Sequence, residues 1–94
     1  MSDSLAKPSR VELEGEYDVA RRSEVVSLFT AIPADGPVII DLSKVTYLDS
    51  LFMQELILLN RRLGKLPITL VGANPNIRRL LQIVGFDQLF QIGD

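Results

Sequence analysis

Val45-Thr46-Tyr47-Leu48-Asp49-Ser50-Leu51-Phe52-Met53 is the stretch on which the reading of this chain depends. An apolar run ends at Leu48, Asp49-Ser50 interrupts it, and a helix-period pattern begins at once. That pattern continues to Leu63, where Gly64 stops it as a residue free to take the left-handed cap conformation. With Leu51 set at 0° and about 100° per residue, Phe52, Leu56, Leu59 and Leu63 cluster between about 80° and 140°, which predicts the core stripe. Gln54, Glu55, Arg61 and Arg62 fall on the opposite side, with Leu51 and Leu58 among them. Met53 and Ile57 flank the stripe on its other edge. A solvent-facing helix surface does not require so many apolar residues. They read either as a helix partly covered by neighbouring loops or as a partner surface that begins beside Ser50.

On the N-terminal side, Arg10 to Glu14 alternates polar and apolar residues and predicts a half-buried strand. Gly15-Glu16-Tyr17 is expected to turn the chain, and Asp18 to cap a helix from about Val19 to Ala31. Val25, Leu28, Phe29 and Ile32 form its stripe, and Pro33 ends it. Val38 to Leu42 is short, β-branched and continuous, which predicts a strand covered on both faces. Ser43-Lys44 reads as a brief break. On the C-terminal side, Leu66 to Val71 predicts another buried strand, ended by Gly72. Asn74-Pro75 is a strong helix start. Ile77, Leu80, Leu81 and Val84 supply the stripe of that helix, and Gly85 closes it. Phe86 to Ile92 remains as a short apolar segment, read as a final edge strand.

Strands alternating with helices through short connections imply an α/β domain with a largely parallel sheet. Sites in such sheets gather at the carboxyl ends of the strands. The turn from Gly15 to Asp18, the pair Asp49-Ser50 and the segment Gly72-Ala73-Asn74 all belong there. Residues 1–8 read as a loose tail and 9–94 as the single domain expected for 94 residues.

Composition removes several classes of function. The chain has neither cysteine nor histidine, so disulfides, thiolate metal sites, thiol nucleophiles and histidine-based triads are absent. No metal site and no cofactor are expected. Net charge is −2, with ten basic residues spread over the chain, which disfavours nucleic acid. The pairs Arg21-Arg22, Arg61-Arg62 and Arg78-Arg79 read as solvated helix faces. No apolar run approaches the length of a membrane span. Asp18, Asp41 and Asp49 are the carboxylates that could converge for acid–base work, but no nucleophile activator or phosphate-cradling glycine loop accompanies them.

Four segments together resemble a known family. Val38-Ile39-Ile40-Asp41-Leu42-Ser43 followed by Val45-Thr46-Tyr47-Leu48-Asp49-Ser50 and an amphipathic helix resembles the STAS domain of anti-sigma-factor antagonists. Gly15-Glu16-Tyr17-Asp18 is similar to that family's early turn, Leu70 to Leu81 to its later strand and helix, and Val84 to Phe90 to its closing segment. The resemblance implies a mainly parallel sheet of four to five strands with about three main helices. It implies a non-enzymatic, cytoplasmic bacterial module that binds an anti-sigma factor which is also a serine kinase. Phosphorylation of Ser50 would prevent binding and a phosphatase would reset it. The expected partner surface comprises Asp18, Asp49, Ser50, Leu51, Met53, Gln54, Ile57 and Leu58. Leu51 and Phe52 stand where the family has a second small hydroxyl residue and a glycine, which predicts an altered backbone at the helix start. The alternative is a STAS-like accessory subunit, or an excised domain of a transport or stress-signalling complex, without phosphoregulation. Taken alone, Ser50 also reads as a plain helix N-cap.

Overall fold

The computed structural model describes residues 9–93; the tail expected at residues 1–8 lies outside them. Strand β1 (Ser9–Tyr17) leads through a 3-10 turn (Val19–Arg21) into helix α1 (Arg22–Thr30). Strand β2 (Val38–Leu48), helix α2 (Ser50–Leu63), strand β3 (Ile68–Val71) and helix α3 (Pro75–Ile83) follow. A second 3-10 turn (Phe86–Gln88) precedes the short strand β4 (Gln91–Ile92). The four strands lie in the order β1-β2-β3-β4, and every pairing is parallel.

This order decides which face of the sheet is covered. Each connection steps to the next strand in the same direction, so right-handed crossovers put α1, α2 and α3 on one face. Burial follows. Val38, Ile40 and Leu42 of β2 and Ile68 and Leu70 of β3 are buried, while the alternate residues Ile39, Asp41, Thr69 and Val71 are only half-buried. The expectation that these strands are covered on both faces is therefore corrected. β-Branched density marked them as central strands, and the connection order left their second face without a helix among the described residues.

β2 is also longer and less regular than its sequence suggests. The break expected at Ser43-Lys44 is a bulge inside one continuous strand. Opposite Glu12 to Glu14 of β1, β2 runs from Asp41 to Lys44, and opposite Gly15 to Glu16 it runs from Val45 to Tyr47. Each register shift adds one residue to β2. Its buried positions are accordingly spaced two, two, three and three apart, at Val38, Ile40, Leu42, Val45 and Leu48. The turn expected at Gly15-Glu16-Tyr17 belongs instead to β1, kinked at Gly15 with φ +86°.

Arginines of all three pairs read as solvated brace this scaffold, Arg78 of α3 by donating to the Gly93 carbonyl at 3.2 Å. The Arg21 guanidinium lies 3.9 Å from the centre of the Tyr17 ring. It donates to the carbonyls of Glu14 at 2.7 Å and Glu16 at 3.3 Å, where β1 kinks. Arg62 on α2 donates to the carbonyls of Phe29 and Ile32 at 2.7 and 2.9 Å, satisfying the C-terminal end of α1. Arg22 reaches Glu55 of α2 at 3.5 Å, and Glu55, expected on the solvent side, is buried. Two helices packed side by side on one sheet face make this a shared inner surface.

The apolar stripes are narrower than their spacings predict. Val25, Phe29 and Ile32 are buried but Leu28 is exposed; Ile77 and Leu81 are buried but Val84 is exposed. Short helices resting on a four-stranded sheet touch it along a single line.

Candidate functional site

The carboxyl ends of β1 and β2 lie side by side, because the Asp49 amide donates to the Tyr17 carbonyl at 3.1 Å. Asp18 and Asp49 thus follow adjacent strand ends, and each begins a helical segment. The Asp18 carboxylate accepts from the Ala20 amide at 3.0 Å, as its capping role required. It caps the 3-10 turn, however, and α1 proper begins only at Arg22.

Asp49, and not Ser50, is the N-cap of α2. Its backbone is extended, and one carboxylate oxygen accepts from the amides of Leu51 at 3.0 Å and Phe52 at 3.1 Å. The Met53 amide donates to the Asp49 carbonyl at 3.3 Å. Ser50 is the first helical residue and is exposed. Its hydroxyl has no hydrogen-bond partner among the described residues. The plain-cap reading of Ser50 is overturned, because a carboxylate one residue earlier already holds the amides a cap would satisfy.

Phe52 does not disturb the start of the helix. The ring points inward at 3% exposure. Its centre is 5.3 Å from that of Tyr17 and 5.8 Å from that of Phe29. These are tilted and edge-on aromatic contacts that tie β1, α1 and α2 together. The position lies within α2, faces the core and has room for a ring.

The other candidate residues divide between two flanks of α2. Gln54 is exposed. Met53 and Ile57 are half-buried and pack against the core. Leu58 lies some 100° or more around the helix from them and is 47% exposed. It lines a depression of about 210 Å³ between α1 and α2 together with Val26, Phe29 and Glu55. Sequence reasoning missed the α1 side of this depression. Val26 lies off the predicted stripe of its helix, and that was the available signal.

The electrostatics of this end are local. Asp18 and Asp49 are engaged by backbone amides, and Asp41 accepts from the Ser43 amide at 2.9 Å and from Arg10. None of the three is hydrogen-bonded to another, so the carboxylate pairing weighed for acid–base chemistry is not formed among the described residues. The hydrogen bond from Arg21 holds the Glu24 carboxyl below its ordinary value. Among the described residues, no group of three or more acidic side chains is placed to hold a metal ion. No helix there is long and apolar enough to cross a membrane.

A one-sided parallel sheet with an Asp-capped helix rising from its second strand defines a class of small α/β binding domains. The chain belongs to the STAS family: residues 2–91 match the family described as "Mlab, STAS domain". It is 28% identical over 85 residues to a STAS-domain-containing protein of Pseudomonas aeruginosa, covering 87% of this chain and 84% of the relative. Among solved structures it shares the fold of the STAS domain of a SulP transporter from Vibrio cholerae. The TM-score is 0.70 at 20% identity, over 92% of this chain and 72% of that one.

Proposed function

We propose that this chain is a non-enzymatic anti-sigma-factor antagonist of the bacterial cytoplasm. Its partner is an anti-sigma factor that is also a serine kinase, and phosphorylation of Ser50 is its switch. The observation that carries the reading is the place of Ser50: exposed at the first position of α2, with a hydroxyl that the cap does not use. Kinase action joins the Ser50 oxygen to the γ-phosphoryl group of ATP, releasing ADP and the hydroxyl proton. A phosphatase returns the hydroxyl and inorganic phosphate by hydrolysis.

The cap geometry supports a switch that acts outward. A phosphate adds about −1.5 to −2 charges. At an open helix start the free amides and the dipole would accept such an anion. Here the Asp49 carboxylate already takes the Leu51 and Phe52 amides. A phosphate on Ser50 therefore projects to solvent beside a like charge, and the fold remains intact. A partner seated over Ser50 must either desolvate the phosphate or move away. A cost of about 4 kcal/mol weakens binding roughly a thousandfold.

Mass spectrometry of the protein purified from its native cell should find phosphate on Ser50. Ser50→Asp should keep the circular dichroism spectrum and lose the co-purifying partner. Unchanged binding of that variant refutes the switch.

A second reading has its own support. The matched family is described by the word Mlab, and the solved neighbour is a transporter's STAS domain. Under this reading the chain is an accessory subunit or excised domain of a transport or stress-signalling complex. The same α2 surface then docks permanently, and Ser50→Asp leaves the complex assembled.

A further inference from the structure

Beyond Leu58, the eight candidate residues leave the α1 side of the helical layer unused, and it combines exposed apolar side chains with more basic than acidic groups. Val19 is 65%, Val26 37% and Leu58 47% exposed. They line two depressions that meet at Val26. One, of about 580 Å³, runs along α1 past Val19, Arg22 and Ser23; the other, of about 210 Å³, lies between α1 and α2. Val26 is one helical turn beyond Arg22, and Leu58 is one turn before Arg61 and Arg62, so both apolar side chains are flanked by guanidinium groups.

One anion lies within these depressions, against two lining arginines, Arg22 and Arg62. Glu55, within the same depression, is buried and held by Arg22. Arg61 is exposed and has no ion-pair partner among the described residues. Arg62 is exposed but anchored through the carbonyls of Phe29 and Ile32. The exposed acidic row Glu12, Glu14 and Glu16 belongs to β1, outside this groove. On a chain of net charge −2, this groove is a locally basic and apolar surface. The apolar side chains Ile83, Val84 and Leu89 are also exposed; Leu89 lines a depression of about 330 Å³ whose rim includes the polar Asn60, Lys65 and Asp87.

We infer that the α1–α2 groove is a docking site for an acidic amphipathic helix of the protein partner, with its apolar residues over Val26 and Leu58 and its carboxylates facing Arg22 and Arg61. The inference rests on the reading of this chain as a partner-binding module and names the chemistry of the segment it grips. A groove of this kind takes a few turns of helix, read through apolar positions spaced three and four apart. Charge complementarity sets the orientation, and the acidic row on β1 repels the same segment from the sheet edge. At Leu58 the groove is separate from the switch. Leu58 lies eight residues beyond Ser50, about 12 Å along α2, beyond the roughly 10 Å over which surface charges act at 0.1 M salt. The contribution of the groove to binding is thus independent of phosphate, and Ser50 sets the further contact over the helix start without which the whole partner is not retained.

The test uses the full 94-residue chain labelled with nitrogen-15. The probes are two synthetic helices of about four turns, one with leucines flanked by glutamates and a twin with every glutamate replaced by lysine. The acidic helix should shift the amide resonances of Val19, Val26 and Leu58 and bind roughly tenfold more tightly than its twin at about 0.1 M salt. Arg61→Glu and Leu58→Ala should each weaken it at least about fivefold, with unchanged circular dichroism. Ser50→Asp should leave it within about twofold. Equal binding of the two helices, or shifts confined to α3 or the sheet, overturns the groove. In the native cell the two readings separate: partner capture lost with Ser50→Asp but intact with Arg61→Glu removes the groove and leaves the switch. Capture lost with Arg61→Glu but intact with Ser50→Asp does the reverse.

Discussion

The corner where β2 meets α2 and the corner where β3 meets α3 are built alike and differ in what they present. Each follows the carboxyl end of a parallel strand, and each helix is capped by a short side chain in extended backbone, Asp49 in one and Asn74 in the other. After the caps they diverge. The first helical residue of α2 is Ser50, exposed and bearing a hydroxyl; that of α3 is Pro75, which has neither hydroxyl nor amide proton. Asn74 also donates back to the Val45 carbonyl at 3.4 Å, tying its corner to β2. Strand-to-helix geometry is therefore not what makes one corner a candidate site. Function follows from the side chain at the first helical position and from the apolar flank behind it.

Six substitutions break or sharpen that contrast. The largest effect is expected at Phe52, whose ring holds the α2 corner against Tyr17 and Phe29. Phe52→Ala should cost about 3–5 kcal/mol in urea unfolding; a loss below about 1 kcal/mol would mean that the ring is not a core anchor. The α3 corner depends instead on backbone shape. Gly72 has φ +75°, and a Cβ there would lie 2.8 Å from the Ser43 Cβ and 3.1 Å from its backbone. Gly72→Ala should therefore cost roughly 1–3 kcal/mol, whereas Ser50→Ala should change stability by less than about 0.5 kcal/mol.

The caps come next. Asp49 accepts two amides, and Asn74 accepts the Ile77 amide at 2.9 Å. Alanine at either position should cost about 1 kcal/mol, with Asp49→Ala the greater. Equal losses would mean that the second amide bond at Asp49 contributes nothing.

A small effect is expected at Asp41, which braces the Ser43 side of the α3 corner. Hydrogen bonds from Ser43, assisted by Arg10, hold its carboxyl below the ordinary range. A lowered native pKa means that its stabilisation is present above the unfolded value and is lost as pH falls through the native one. Asp41→Asn should destabilise the chain by less than about 1 kcal/mol at neutral pH. The difference from wild type should shrink on acidification; a gap that widens there is the contrary result.

Much of this was legible in the sequence. The order of elements, the helix start at Asn74-Pro75, the capping role of Asp18 and the core stripe of α2 at Phe52, Leu56, Leu59 and Leu63 follow from periodicity and local hydrogen-bonding chemistry. Other features depend on which elements come to lie together. The burial of Glu55 required α1 to pack against α2 and bring Arg22 within reach. The inward turn of Phe52 required Tyr17 and Phe29 as neighbours. The arginines looked solvated because their acceptors, backbone carbonyls of other segments, leave no mark in a one-dimensional pattern.

By itself the sequence determined the alternation of strands and helices, the identity of most core residues and the candidacy of Asp49-Ser50. Local propensity and hydrophobic period act over a few residues and are written in consecutive positions. Tertiary structure alone decided that one sheet face stays without helices among the described residues, that β2 carries two bulges, and that Asp49 caps the helix and leaves Ser50 exposed. It also decided that two exposed valines and a leucine from separate helices share a basic groove. Each of these depends on the register of one strand against another or on the packing of one helix against its neighbour, relations between residues far apart in the chain.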